Sequence, residues 1–237
     1  MYKTILILLF TLTSTWGQTP RKVKIGTFLI PKYVRSKTEG EFVQLISALA
    51  KKSDVDIEIV LIPPKRAYYE LELGTIEGLF PAMESKGLSS FETISDFYTK
   101  EMFVFERAGH DYRKIKNAKV CTTEGYTYPS DFIKEKGWKK IVASSDETCL
   151  ALLEKKRVDL FIGEIVTVKE SINVLGLSEV IKFNQYSPIS SDKVTLAFRK
   201  GSDGKKLSEK FDKALKEIMI DRSFDKIFPT GTAKIER

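Results

Sequence analysis

The sequence predicts an α/β protein of two lobes, each a mainly parallel sheet flanked by helices. Three observations predict it. Short β-rich apolar runs alternate with amphipathic helical patterns from Lys22 onward, the arrangement of parallel strands joined by right-handed crossovers. One unit also occurs twice: a helix at Arg66–Leu73, a turn at Gly74, an acid at Glu77 and a buried strand, Gly78–Ala82, return as a helix at Cys149–Lys155, a turn, Asp159 and the strand Leu160–Gly163. Aligned on Ile76-Glu77 and Val158-Asp159, the two units take equivalent places in two halves of the chain. Finally, extended runs at Met102–Arg107 and Thr195–Lys200 read as two crossings between the halves, which makes the first lobe discontinuous and suggests a two-strand hinge.

Taken in order, Lys22–Phe28 alternates as a strand and passes into a loop, 29–40, that carries Pro31 and Tyr33. Glu41–Lys52 spaces Phe42, Leu45, Ile46, Leu49 and Ala50 as one helical face. Asp56–Ile62 is a second strand, stopped by Pro63-Pro64 because proline cannot donate to a ladder. After the Arg66–Leu73 helix and the third strand, Ser85–Phe97 is polar and broken, and Met102–Glu106 reads as a strand leaving the first lobe. Gly109–Asn117 reads as a linker. The second lobe then runs as strand Lys119–Thr122, loop Thr123–Pro129, helix Ser130–Lys136, strand Ile141–Ala143, a helix Ser145–Lys155 with Ser145 as N-cap, strand Asp159–Gly163, and a helix Glu164–Val174 ending near Gly176. Val180–Phe183 is extended, Lys193–Phe198 is a strand returning across, and Leu207–Ile220 sets Leu207, Phe211, Leu215 and Ile218 on one helical face. The expected division is a leader over 1–17, a first lobe of 18–104 with 199–237, and a second lobe of 105–198.

The leader rests on a basic Met1-Tyr2-Lys3, an apolar Thr4–Leu12 and the small-x-small Thr15-Trp16-Gly17, a signal peptide cut near Gly17 for export to the periplasm. A membrane anchor is the competing reading, but the apolar run is shorter than the roughly 20 residues that span a bilayer. Export puts the only two cysteines, Cys121 and Cys149, in an oxidising compartment, and a disulfide between them is expected. The only histidine is His110, so a Cys–His nucleophile is disfavoured, and no Ser-His-Asp set or spaced metal ligands are recognised. No cofactor, metal or catalytic residue is expected. The net charge of +7 falls by one when the leader is removed. The basic residues are scattered and lack an aromatic platform, so nucleic acid is not an expected partner. A monomer is expected.

Several segments resemble the type II periplasmic binding proteins, in particular the family-3 extracellular solute-binding proteins of amino-acid uptake. In the first lobe they are Pro64-Lys65-Arg66-Ala67, Gly74-x-Ile76-Glu77-Gly78 and Ser95-Asp96-x-Tyr98. In the second they are Gly125-Tyr126-Thr127-Tyr128 and Leu153-x-x-x-Arg157-Val158-Asp159, with Phe211-Asp212-Lys213-Ala214-Leu215 in the closing helix. The resemblance runs from about Val23 to the C-terminus. It implies two α/β lobes that close on a small polar or zwitterionic solute, an amino acid or related compound, and deliver it to an inner-membrane ABC permease. One departure stands out. Seven residues before the Ser-Asp pair the amino-acid binders carry an arginine that clamps the ligand carboxylate, and here that position is Leu88. An enzyme on the same scaffold, similar to periplasmic dehydratases and working through Glu84 and Glu164, and a sensory ligand-binding lobe are the alternatives.

Open α/β sheets bind ligands beyond the carboxyl ends of their strands. Phe28 ends the first strand and Tyr33 follows it, Arg66 opens the helix after the second, and Met83 and Glu84 follow the third. Tyr98, in the Ser95-Asp96-x-Tyr98 segment, precedes the crossing run. From the other lobe, Gly125, Tyr126, Thr127 and Tyr128 follow one strand and Glu164 ends another. These residues are the expected ligand site. Arg66 is the expected anion holder, with an i,i+4 pairing to Glu70 as the structural alternative. Glu164, at the acidic position that the resemblance assigns to a ligand amine, is the expected cation partner, with a place at the following helix's N-terminus as its alternative.

Overall fold

The computed structural model describes residues 22–228, and the expected leader lies outside them. A first series runs β1 (Val23–Thr27), α1 (Glu41–Lys52), β2 (Ile57–Leu61), α2 (Ala67–Leu73) and β3 (Gly78–Met83). β1 lies between β2 and β3 and parallel to both, with Val23 opposite Ile57 and Ile25 opposite Gly78. After the short β4 (Phe91–Thr93) and the long β5 (Tyr98–Arg107), a second series repeats the plan. It comprises β6 (Lys119–Thr123), α3 (Ser130–Glu135), β7 (Lys139–Ala143), α4 (Asp146–Glu154), β8 (Leu160–Glu164) and α5 (Ile165–Leu175). Here β6 lies between β7 and β8, again parallel to both. The chain closes with β9 (Ile181–Phe183), β10 (Ser190–Arg199), α6 (Ser202–Ile220) and α7 (Ser223–Ile227). The sheet path is β2-β1-β3-β10-β5-β8-β6-β7, so the antiparallel pair β5 and β10 joins two copies of one topology.

The repeated acid has the same task in both copies. Glu77 donates its N–H to Lys24 O at 2.9 Å while its carboxylate accepts the Lys24 N–H at 2.8 Å. Asp159 does the same with Lys119, at 2.8 Å in each direction. Each acid thus adds one rung to the parallel ladder before its strand begins, which explains the helix–turn–acid–strand echo without a ligand.

Two sets of cores follow the two copies. On one side α1 buries Phe42, Val43, Leu45, Ile46 and Leu49 against Phe80, Phe97, Phe198 and the Phe211–Ile218 face of α6, while Ala67, Leu71, Ile76 and Leu79 pack beneath α2. On the other, Phe103, Phe105, Leu150, Leu153 and Phe161 form one cluster and Met102, Val104, Trp138 and Ile162 another. β3 and β8, covered on both faces, are buried almost throughout, as parallel strands are. Cys121 of β6 and Cys149 of α4 form the expected disulfide, buried within the second lobe. The structure differs from the sequence reading at both crossings. β5 begins at Tyr98 and β10 at Ser190, each several residues early, because polar residues there pair with one another: Thr99 with Lys193, Lys100 with Asp192 and Glu101 with Ser191. The broken Ser85–Phe97 segment holds two 3-10 turns and β4, which pairs with β10. α7 was not expected; it places Phe224 and Phe228 on the α1 core.

Candidate functional site

The carboxyl ends of β1, β3, β6 and β8 converge on a cleft of about 580 Å³. Phe28 and Ile30 leave β1 into it, and Pro81 and Met83 face it from β3. Tyr98 and Lys100 enter from β5, Gly125, Tyr126 and Thr127 follow β6, and Glu164 and Thr167 close it at the β8–α5 junction. Of the expected residues, Phe28, Tyr33, Met83, Tyr98, Gly125, Tyr126, Thr127 and Glu164 line this space. A volume of this size suits a small molecule.

Three expected residues are placed elsewhere. Arg66 turns its guanidinium onto Glu70, one helical turn along, and its side chain is 64% exposed. Thr75 bonds the same carboxylate, so the i,i+4 alternative is the one realised. Glu84 starts an exposed 3-10 turn beside the cleft. Tyr128 accepts the Thr123 N–H at 2.8 Å and packs with the Trp138 cluster, so it braces the loop from within the second lobe. Leu88 packs on the Ala67–Leu71 cluster.

Glu164 is the most constrained residue of the site. It is the N-cap of α5, with Oε2 accepting N–H groups of Val166 at 3.0 Å and Thr167 at 2.8 Å. Oε1 accepts the Tyr98 hydroxyl at 2.7 Å, and Tyr98 shares a 2.7 Å hydrogen bond with the Tyr33 hydroxyl. Tyr33 in turn stacks on Phe42, centroids 4.3 Å apart. Burial pushes the Glu164 carboxyl above its ordinary range, opposed by the bonds from Thr167, Tyr98 and Val166. It also raises both tyrosines, so each keeps its proton. Two carboxylate oxygens that accept three bonds leave little capacity for a ligand amine.

Lys100 escaped the sequence reading. It is 8% exposed, lines the cleft and donates from Nζ to Thr127 O at 3.0 Å. Burial lowers its pKa, while Glu164, Asp192 and Asp146 act in the other direction from a distance. The signal that could have found it is its strand parity with Tyr98 and Met102, both buried. Phe28, Phe42, Tyr68 and Phe91 supply aromatic wall, and Lys65, Glu72 and Lys86 also line the cleft. Tyr68 also accepts the Met83 N–H at 2.7 Å, and burial raises its pKa to about 12.

The mouth is spanned from lobe to lobe. Lys65 reaches Glu124 at 2.5 Å, and Arg35 reaches Glu170 at 3.5 Å. Gly125, at φ 81°, lies against Pro64: a Cβ there would stand 3.1 Å from Pro64 Cβ. Beyond this contact a second hollow of about 870 Å³ is lined by Pro31, Arg35, Ile62, Thr123 and Asp146, among others. Asp146 Oδ1 accepts the Thr123 hydroxyl at 2.5 Å and its carboxyl is pushed upward by burial. Among the described residues no cluster of three His, Cys, Asp or Glu side chains could hold a metal, and no helix is long and apolar enough to cross a membrane.

No protein-family model matches the chain, and no curated protein does. Solved structures do. An ancestral arginine-binding protein bound to arginine is 20% identical, with TM-score 0.73 over 88% of this chain and 96% of its own. A histidine kinase sensor domain with similarity to periplasmic binding proteins is 16% identical, with TM-score 0.74 over 88% and 95%. The substrate-binding protein of an amino acid ABC transporter is 17% identical, with TM-score 0.69 over 87% and 97%. With the duplicated βαβαβ halves and the two joining strands, this likeness shows that the chain has the two-lobed type II periplasmic-binding-protein fold.

Proposed function

We propose that the protein is an extracytoplasmic solute-binding protein whose lobes close over a small polar solute. The observation that carries the reading is the cleft itself. It lies between two separately cored lobes, it is walled by strand ends of both, and its two buried charged residues, Lys100 and Glu164, stand at the junction. The hinge is the antiparallel ladder Tyr98–Met102 with Ser190–Val194. Core membership supports that position: Tyr98 and Val194 belong to the α1 cluster, whereas Met102 and Ile189 belong with Trp138. The lobe change then falls earlier on both strands than the 104/105 and 198/199 boundaries expected from sequence.

Delivery to a membrane permease fits the likeness to a transporter's binding protein, and the likeness to a kinase sensor domain gives the same closure a signalling use. The lobe motion is common to both. A thermal-shift screen of amino acids, carboxylates, amines and small sugars, with product analysis of every positive, tests the reading. A ligand that favours the native state raises Tm by mass action. A solute that raises Tm, is recovered unchanged and contracts the protein in small-angle scattering supports binding. Chemical turnover of the solute, or no shift across the whole panel, overturns it.

A further inference from the structure

The charges of the cleft fall into two sets. Lys65, Glu72 and Lys86 are exposed at its edge, whereas Lys100 and Glu164 are buried in its floor. A buried charge is costly unless paired and hydrogen-bonded. Glu164 is stabilised within the protein by hydrogen bonds from two helix N–H groups and the Tyr98 hydroxyl. Among the described residues the Lys100 ammonium makes one hydrogen bond, to Thr127 O, and forms no ion pair with a carboxylate. An ammonium has three donors. The residue lies at the centre of the hinge ladder, opposite Asp192, whose own carboxylate is taken by the backbone and side chain of Ser85. Among the described residues no arginine lines the cleft.

We propose that Lys100 is the anion-binding group of the site and that the ligand is a small monocarboxylate with an aryl or branched-alkyl body, bound without a requirement for an ammonium group. This deepens the solute-binding reading and rests on it. One ammonium matches one carboxylate in charge, and the apolar walls, Phe28, Phe42, Tyr68, Met83 and Phe91, match the body. Glu164, the buried carboxylate of this cleft, already accepts three hydrogen bonds, and Asp146, whose Oδ2 is unpartnered among the described residues, lines the second hollow and not this cleft. Because Lys100 belongs to the hinge and holds the loop that carries Gly125–Thr127, a carboxylate on Nζ touches both lobes and favours the closed form. The lowered pKa that burial gives Lys100 agrees with a cation awaiting a close negative partner.

Two matched probe sets test this by calorimetry on the full mature chain: hydrocinnamate, phenylalanine, phenethylamine and neutral hydrocinnamamide, and isocaproate, leucine and isoamylamine. The expected result is that a carboxylate binds, its amino-acid counterpart binds no tighter, and the amine does not bind. Lys100→Met should weaken the carboxylate by at least about 30-fold, the loss expected when one partner of a buried charge pair is removed. Hydrocinnamamide should be little changed by it, a contrast that a merely misfolded variant cannot give, and Lys100→Arg should keep the preference for carboxylate over amine. Tighter binding of the amino acid or amine than of the carboxylate, or a carboxylate affinity unchanged in Lys100→Met, overturns the inference and leaves the solute-binding reading standing. Binding by neither these probes nor the wider panel overturns both.

Discussion

Glu164 performs two tasks that can be separated by substitution. Its oxygens cap α5 through Val166 and Thr167 and hold the Tyr98–Tyr33 hydroxyl pair, while its charge is carried in a buried site. Glu164→Ala removes every acceptor at once. Loss of a helix N-cap costs about 0.5–2 kcal/mol and a buried hydroxyl left unpaired about 1–3, while relief of the buried charge offsets part. A net loss of about 2–3 kcal/mol is expected. Glu164→Gln keeps one carbonyl oxygen for the two helix N–H groups, presents an amide to Tyr98 and removes the charge, so its stability should stay within about 1 kcal/mol of wild type. The pH dependence has a definite sign. Burial raises the folded-state pKa above 4.5, so the contribution of the carboxyl is fully present below that value and is lost as pH rises through the folded value. Wild type should therefore lose stability relative to Glu164→Gln as pH rises from about 4.5. Urea unfolding of the three proteins across this range, with hydrogen exchange at the Val166 and Thr167 amides, measures both tasks. Equal midpoints for the Ala and Gln variants, or no acceleration of those two amides in Glu164→Ala, would refute the capping assignment; a difference between wild type and Gln that does not vary with pH would refute the burial argument.

Three further outcomes are expected. Cys121→Ala with Cys149→Ala opens a loop of sequence separation 28. The chain-entropy cost is about 3.5 kcal/mol, so Tm should fall by roughly 7–14 °C, and an unchanged Tm on calorimetry would contradict it. Gly125→Ala places a side chain at φ 81° against Pro64; a loss of about 1–2 kcal/mol in denaturant midpoint and weaker solute binding should follow, and wild-type values in both would show that Pro64 does not press on this loop. Lys65→Ala and Glu124→Ala remove an exposed pair that spans the lobes. Unfolding should be nearly unchanged because such pairs are screened. Solute affinity should fall at low salt and converge with wild type at high salt, which titrations at two ionic strengths would read; salt-independent losses would count against a bridging role.

The two halves were legible in the sequence because their strands are covered on both faces. Runs such as Gly78–Met83 and Leu160–Glu164 must then be apolar, and the acid one residue before each is needed for the rung it adds. The two joining strands were legible as well, but their early starts were not, because one face of their ladder is open to solvent and Thr99-Lys100-Glu101 opposite Ser191-Asp192-Lys193 interrupts the apolar pattern from which strands are read. The location of the cleft followed from strand direction, and eight of the eleven expected residues line it. Its charge did not follow. Arg66 and Glu70 are one turn apart, so their pairing was an alternative the sequence could state but not settle. The contacts that fix the cleft's electrostatics span much longer separations: Lys100 meets Thr127 across 27 positions, and Tyr98 meets Glu164 across 66. Periodicity and capping rules act within a few residues, so they assign Glu164 to a helix start and leave Lys100 unremarked. Only the folded β5 shows why these two assignments depend on each other. The strand whose Tyr98 occupies Glu164 brings Lys100 into the floor two residues later, so the arrangement that engages the buried acid is also the one that leaves the buried base for a ligand.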